Sequence, residues 1–371
     1  MSIYLGNTKG TYTLAATISV QQAPTSYPIA VADLNGDGIP YLAVPLYGSN
    51  DIAILLGKGN GTFAAPIMAS LPGFPVDITQ VVDADFNGDG IPDLAVIDSD
   101  NSAVDILLGN GDGTFTAETN QPPISGIPSH VATGDFNGDG KTDLAVAENA
   151  GTISVLLGNG DGTFAASGSV NSGSSGSPIA VADFNGDGKL DIAVPAGTGT
   201  GELVTVLTGN GDGTFNSPFS GSPTSTSVTW IRVADFNQDG TADVVLADSD
   251  GSATVFLNNG SGSLSESFPV VSGLNVPYYL EVGVGDLNGD GYPDIVAGGY
   301  YSSTQGLFLT EPTETASASA SVQVNGVGRH LAQASFPAEG KYESSISNSV
   351  PLWGLLPATS TTFSVSSGGS T

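Results

Sequence analysis

A nine-residue pattern recurs six times along this chain, and its spacing constrains the fold more than any other feature. The third copy reads Asp135-Phe136-Asn137-Gly138-Asp139-Gly140-Lys141-Thr142-Asp143, with oxygen-bearing side chains at positions 1, 3, 5 and 9 and glycine at position 6. Copies begin at Asp33, Asp85, Asp135, Asp183, Asp235 and Asp286, at intervals of 52, 50, 48, 52 and 51 residues. Each is followed by a short apolar run such as Leu144-Ala145-Val146, which reads as a strand. A period of roughly 40–50 residues built from short strands predicts propeller blades rather than a helical solenoid. Each blade is a small sheet that cannot bury its faces alone, so blades pack radially around an axis.

The rest of the repeat keeps a constant order. In the third copy Val131-Ala132-Thr133 leads into the nonapeptide and Leu144-Ala145-Val146 leaves it. Ile153-Ser154-Val155-Leu156-Leu157 and a Gly-Asn-Gly-Asp-Gly turn follow, and Thr163-Phe164 opens a fourth extended run. Four short strands joined by tight turns predict an all-β fold of four-stranded antiparallel blades. The Leu-Leu and Ala-Val pairs do not alternate with polar residues, as expected of strands buried on both faces between neighbouring blades. The segments at Asn110, Asn159 and Asn210 are rich in Asp and Asn, yet Asn-Gly and Asp-Gly are favoured hairpin dipeptides, so these read as turns rather than second metal sites.

The nonapeptide carries the chemistry. Side chains at positions 1, 3 and 5 with a backbone carbonyl at 7 are the opening half of an EF-hand-type loop for one hard cation. Glycine at 6 allows a sharp turn through positive φ. An EF-hand closes with glutamate at position 12; here an aspartate at position 9 makes a tighter hairpin. The candidate Ca²⁺ ligands are Asp85, Asn87, Asp89, Ile91 and Asp93; Asp135, Asn137, Asp139, Lys141 and Asp143; and Asp183, Asn185, Asp187, Lys189 and Asp191. The last two complete sets are Asp235, Asn237, Asp239, Thr241 and Asp243, and Asp286, Asn288, Asp290, Tyr292 and Asp294. The first loop offers Asp33, Asn35 and Asp37 but has Tyr41 at position 9, so this sixth site is expected to be weak or empty. In the fifth loop Gln238 replaces glycine at position 4, a place expected to face solvent, and binding should survive. The plainer alternative is that the aspartates only cap turns through side-chain-to-backbone bonds. Four clustered carboxylate or amide groups without a cation would repel one another. Mg²⁺ is disfavoured because it demands tight octahedral geometry. The expected role of the ion is structural, replacing a hydrophobic core that such short hairpins are too small to provide.

Composition narrows the partners. The net charge of −30, from seven Lys plus Arg against 37 acids, argues against nucleic acid and anionic membrane surfaces. The acidity suits a soluble protein exposed to divalent cations, such as one outside the cell. There are 52 glycines and 22 prolines, but the glycines fall at fixed repeat positions and 39% of residues are apolar, which favours a turn-dense fold over disorder. No cysteine is present, so disulfides, thiolate metal sites and cysteine nucleophiles are excluded. No run of ~20 apolar residues predicts a transmembrane helix, and no basic-then-apolar start marks an export signal.

Residues 1–20 begin in mid-repeat: Ile3 to Tyr12 align with Val155 to Phe164. Two readings stay open, a ring closed by pairing strands from both chain ends or a sequence cut inside a repeat. Past residue 313 the pattern changes. Glu314 to Val322 alternates small and polar residues like an edge strand; Arg329 to Phe336 and Tyr342 to Ile346 look like two more, and 357–371 reads as a linker or tail.

The unit Asp-Phe-Asn-Gly-Asp-Gly-x-x-Asp-Leu-Ala-Val followed by Val-Leu-Leu-Gly-Asn-Gly-Asp-Gly-Thr-Phe resembles the FG-GAP/VCBS repeat of integrin-α-type β-propellers, over about residues 1–310. The resemblance implies a seven-bladed propeller with Ca²⁺ between the first two strands of a blade, here six loop-bearing blades plus one composite blade. It also implies extracellular or cell-surface roles in adhesion and in ligand or carbohydrate binding. Ala334-Ser335-Phe336-Pro337-Ala338-Glu339-Gly340-Lys341-Tyr342 is similar to the closing half of a bacterial Ig-like repeat. Residues 314–356 are therefore either a partial Ig-like repeat or strands that complete a last blade. Ig-like repeats often stand in series in large secreted proteins, so the chain is expected to be part of a larger multidomain one.

Three functions compete. The first is a calcium-stabilised, non-enzymatic binding or adhesion module for a glycan or an extracellular protein. The second is a carbohydrate-active lyase or hydrolase using Asp98, Asp100, Asp248 and Asp250 in loops after second strands. The third is a spacer. His130 and His330 lack patterned partners in sequence and read as surface or packing residues. No nucleophile elbow, phosphate loop or zinc motif appears. Of the aromatics, Tyr278-Tyr279, Tyr300-Tyr301, Trp230 and Trp353, packing between blades is the commoner role; Tyr300 and Tyr301 are the preferred ligand contacts.

Overall fold

In the computed structural model the described residues are 2–6, 12–18, 29–46, 48–71, 78–197, 202–217, 228–262, 264–271, 280–299 and 305–308, with further strands beyond 316. Every regular element among them is a strand. Five consecutive sheets are four-stranded antiparallel meanders, one per repeat, and a sixth has three described strands. Blade 3 is typical: Pro128–Gly134, Asp143–Glu148, Thr152–Gly158 and Phe164–Asn171 pair in that order. These four strands contain the first three expected runs whole, and the fourth begins at Phe164, one residue after the expected Thr163.

The second strand explains the unbroken apolar runs. Asp93–Asp98, Asp143–Glu148 and Asp243–Asp248 are buried at every residue. Alternate side chains enter the core on either side of the blade: Leu144 and Val146 pack with blade 2, Ala145 and Ala147 with blade 4. One apolar cluster fills each gap between successive blades. At about 25 cal/mol per Å² of buried apolar surface, these inter-blade cores are the main stabilising term.

The nonapeptide links first to second strand, as expected. Its second residue turns inward: Leu34, Phe86, Phe136, Phe184 and Phe236 are buried beneath their loops. Phe86 meets Phe164 of blade 3 edge-on at 5.5 Å between centroids, and Phe136 meets Phe215 of blade 4 at 5.5 Å. Gly162 and Gly213 in those neighbouring hairpins donate their N–H to Phe86 O and Phe136 O at 3.0 Å. The loops therefore rest on a hydrophobic support of their own, contrary to the expectation that an ion stands in for one. The reason is the phenylalanine at position 2, which the hairpin of the next blade covers.

Residues Ser2–Gly6 and Tyr12–Thr17 form a two-stranded antiparallel pair. Leu5 lies over Gly61 as Leu56 lies over Gly113, Leu108 over Gly162 and Leu157 over Gly213. The N-terminal segment thus holds the place of a third strand, matching its alignment with Val155–Phe164. The chain divides into two compact units, Met1–Thr310 and Glu311–Thr371. In the second, Ser317–Gln323 pairs with Ser360–Ser366 and Gly328–Ala332 with Val350–Gly354. The expected linker at 357–371 thus includes a strand, since Thr361, Thr362 and Val365 are β-branched and Phe363 is aromatic, all good strand formers.

Candidate functional site

The six loops share one hydrogen-bonding scheme. In loop 2 Asp85 Oδ1 accepts from Gly88 N at 2.7 Å and Asp85 Oδ2 from Gly90 N at 2.9 Å. Asn87 Oδ1 accepts from Asp89 N at 2.9 Å, and Asp89 Oδ1 from Ile91 N at 2.8 Å. The same bonds recur from Asp135, Asn137 and Asp139 and from Asp183, Asn185 and Asp187. Asp235, Asn237 and Asp239 form the loop-closing subset, and Asp286, Asn288 and Asp290 the whole set. Glycines at positions 4 and 6 make these bonds possible: Gly138 and Gly140 have φ of 74° and 81°, where a Cβ would be strained.

Position 9 also binds backbone N–H groups. Asp93, Asp143, Asp191 and Asp243 are fully buried. Asp143 accepts from Phe136 N at 2.9 Å and from Gly158 N at 2.8 Å, one oxygen each. Asp93, Asp191 and Asp243 make the equivalent pair, and Asp294 accepts from Leu287 N. The aspartate clips the loop to the end of the third strand. Burial pushes these four carboxyls up, the backbone donors pull them back, and the two other loop aspartates push them up again. At Asp33 and Asp286 donation from Gly38 and Gly291 leads and holds the carboxyl below its usual range.

Loop 1 replaces the clip. Tyr41 is 3% exposed and donates its hydroxyl to Asp37 Oδ2 at 3.0 Å, while Asp33, Asn35 and Asp37 keep the turn bonds. In loop 5 Gln238 has φ of 57° and its Nε2 donates to Gly291 O at 2.7 Å. Position 4 is exposed, as expected; in this blade its side chain also bridges two successive loops, because glutamine is long enough to span the gap. Among the described residues the one ion pair in these loops is Lys141 with Asp139 at 3.9 Å. Among the same residues no three acidic or histidine side chains already stand at metal-ligating spacing.

The hairpins at Asn110, Asn159 and Asn210 are turns, as expected. Asp112, Asp161 and Asp212 each accept from the N–H and hydroxyl of the threonine two residues on. The carboxylates considered for catalysis also hold turns. Asp98 accepts from Asn101 N and Nδ2, Asp248 from Ser249 N, and Asp250 from Ser252 N. Asp98 and Asp100 belong to blade 2, and Asp248 and Asp250 to blade 5.

His130 and Trp230 have partners that sequence proximity did not show. Their rings meet edge-on at 5.8 Å, and the Arg232 guanidinium lies 4.5 Å from the Trp230 ring centroid. Burial and the Arg232 charge lower His130 to about 4, so its imidazole is neutral at pH 7. Burial lowers Arg232 to about 10 and raises Glu281 to about 7, each partly restored by the other's charge. The available signal was positional: a polar or aromatic residue five residues ahead of the loop, in the first strand of a blade, which is the inner one because first strands of successive blades meet. Tyr278, Tyr279, Tyr300, Tyr301 and His330 lie outside the residues whose side chains are described.

FG-GAP-like repeats match residues 41–96, 85–146, 135–194, 196–246 and 235–297, and an FG-GAP repeat matches 175–214. No curated protein matches in sequence. Among solved structures, the chain is similar to an Agrocybe aegerita lectin that specifically recognises non-reducing terminal N-acetylglucosamine, at 22% identity and TM-score 0.55, over 80% of this chain and 83% of that one. It is also similar to BBS1N in complex with ARL6DN, at 18% identity and TM-score 0.54, over 82% and 84%. These likenesses concern the fold. Taken with the repeated strand order and loops, they identify the chain as a member of the FG-GAP-like repeat family, folded as an all-β propeller.

Proposed function

We propose that this chain is a non-catalytic binding module of the cell exterior, stabilised by Ca²⁺ and directed at a glycan. One observation carries the binding reading: most of the chain shares its fold with a lectin that recognises a terminal sugar. The complex of BBS1N with ARL6DN favours a protein ligand as the second reading.

The calcium part rests on the chemistry of the donor set. Each complete loop offers carboxylates at positions 1, 5 and 9, an amide oxygen at 3 and a carbonyl at 7, all hard oxygens that suit Ca²⁺. An ionised carboxylate has about four lone-pair sites, so an oxygen that accepts one loop N–H retains acceptor capacity. Among the described residues the loop charge is barely compensated, with a single lysine contact in the third copy. Bound Ca²⁺ would supply the missing positive charge. Asp85, Asp135, Asp183, Asp235 and Asp286 with their position-3 and position-5 partners would hold it. The buried aspartate at position 9 would fix the loop ends and turn a free lone pair toward the ion. The extracellular setting is supported by the charge of −30 and by the calcium available there.

The test is a glycan array and an extracellular-protein array, each run in millimolar Ca²⁺ and in EDTA. Saturable capture of a glycan, lost in EDTA, is the expected result. Capture of proteins alone would transfer the function to the second reading. Turnover of a captured glycan, abolished by Asp98→Asn or Asp248→Asn, would replace binding with catalysis.

A further inference from the structure

Among the described residues three buried side-chain polar atoms lack a hydrogen-bond partner: Thr79 Oγ1, His130 Nδ1 and Trp230 Nε1. Buried polar atoms are nearly always paired, and an exception calls for an unseen partner. All three belong to first strands, Ile78–Ala84, Pro128–Gly134 and Val228–Ala234, and they stand at one level. Gln80, His130, Pro178, Trp230 and Glu281 each lie five residues ahead of their loop's first aspartate, and Thr79 lies one residue earlier. Gln80, His130 and Trp230 share the same register, opposite Ile97, Ala147 and Ala247, just after a bulge.

The side chains at this level reach across blades. Gln80 bonds both Val131 N and Val131 O of the next inner strand, at 2.9 and 3.0 Å. His130 touches Trp230 past blade 4, whose inner strand Ala180–Ala182 starts later and carries Pro178 at the equivalent sequence position. Arg232 covers the Trp230 ring and shares an electrostatic interaction with Glu281 of blade 6, with no ion pair within 4.0 Å between them. Arg232 has one described hydrogen bond, to Ile231 O at 2.9 Å. A guanidinium has five donors, which leaves most of its capacity unused.

We propose that this end of the inner strands, at the opposite end of each strand from the acidic loops, is a binding site for a neutral saccharide. This rests on the reading of the chain as a glycan-binding module and places that binding. The site mixes donors, the Trp230 N–H and Arg232, with acceptors, Glu281 and the neutral His130. A sugar hydroxyl donates and accepts at once, so vicinal hydroxyls match both kinds of group. Glu281 offsets part of the Arg232 charge, which weakens the attraction for an anion. The overall charge of −30 repels acidic sugars within a Debye length of about 8 Å at physiological salt. The ligand class that remains is uncharged and rich in hydroxyls.

The chain has two tryptophans, Trp230 and Trp353, so a Trp353→Phe variant of the full chain makes Trp230 the sole indole reporter. It is titrated, in Ca²⁺, with neutral mono- and disaccharides and with glucuronate. The expected result is a saturable change in Trp230 emission with at least one neutral sugar and none with glucuronate. Loss of one ligand hydrogen bond should weaken binding roughly tenfold. Glu281→Gln should produce that loss when read by emission, and Trp230→Phe, which keeps an aromatic ring but removes the N–H, when read by calorimetry, with melting transitions showing that both variants are folded. Neutral-sugar binding unchanged in both variants would overturn the site while leaving the module reading intact. Preference for glucuronate would overturn the ligand class. A silent Trp230 with every sugar would show that water alone occupies the site, and would overturn it too.

Discussion

The two kinds of aspartate in each complete loop differ in what their oxygens face, and substitution separates them. Asp143 is fully buried between Phe136 N and Gly158 N, so Asp143→Asn turns one acceptor into an NH₂ that opposes a backbone N–H. On urea denaturation a loss of about 1–3 kcal/mol is expected in EDTA, and a larger one in Ca²⁺, where the ion also loses a carboxylate ligand. Asp139 is exposed and accepts from Lys141 N, so Asp139→Asn should lower the melting temperature in Ca²⁺ and change it little in EDTA. Glu281 provides a pH test. Its folded value of about 7 lies above the ordinary 4.5, so the folded state binds more protons than the unfolded between those values. Its contribution is therefore fully present below pH 4.5 and lost as pH rises through 7. His130, lowered from 6.5 to about 4 by burial and Arg232, acts oppositely, with stability rising from pH 4 to 6.5. Glu281→Gln removes only the first of these. The melting temperature of the variant relative to the parent should therefore climb between pH 5 and pH 8; a constant difference would contradict the assignment.

At the scale of elements the blade depends on a close approach that the sequence shows only as a recurrent glycine. A Cβ on Gly158 would lie 2.2 Å from Thr142 O, and the same contact recurs at Gly57, Gly109 and Gly209 against the residue before position 9. Blade 5 carries Asn258 there, and its Nδ2 donates to Ala242 O at 3.1 Å and to Phe184 O at 2.7 Å. The asparagine thereby supplies by side chain the inter-blade bond that Gly162 and Gly213 supply by backbone in other blades. Gly158→Ala should cost about 1–3 kcal/mol through overpacking, and Gly158→Asn less, because its amide can repeat the Asn258 bonds. Urea midpoints of the two variants decide the point. Strand existence, order and hairpin turns were legible in sequence, since alternation of apolar runs with Asn-Gly and Asp-Gly turns is local information. The clip by Asp143 and the bridge by Gln238 were not, because a carboxylate at position 9 reads alike whether it faces an ion or two amides.

For the whole molecule, successive blades share their cores, so a loop loosened in one blade is felt by the next through contacts such as Phe136 on Phe215. Ligands bound only by the folded state add stability by mass action, about 4 kcal/mol for each site at a thousandfold excess over Kd. Chelation is therefore expected to lower the melting temperature of the parent by many degrees, and an unchanged value in excess EDTA would remove calcium from the account. Asp37→Asn in the first loop, where Tyr41 replaces the clip, should alter that difference less than Asp139→Asn does.

The sequence alone determined the all-β class, the strand order, the repeat length and the six acidic loops, because each is written in short-range pattern: residue period, turn dipeptides and a fixed spacing of acidic residues. Only the tertiary structure decided which face each side chain meets. It buried the aspartate at position 9, seated Phe136 under the hairpin of the next blade, and brought His130, Trp230, Arg232 and Glu281 to one level from three blades. Those residues are up to about 150 positions apart in the chain. Their contact follows from the radial packing of sheets, which no window of local sequence encodes.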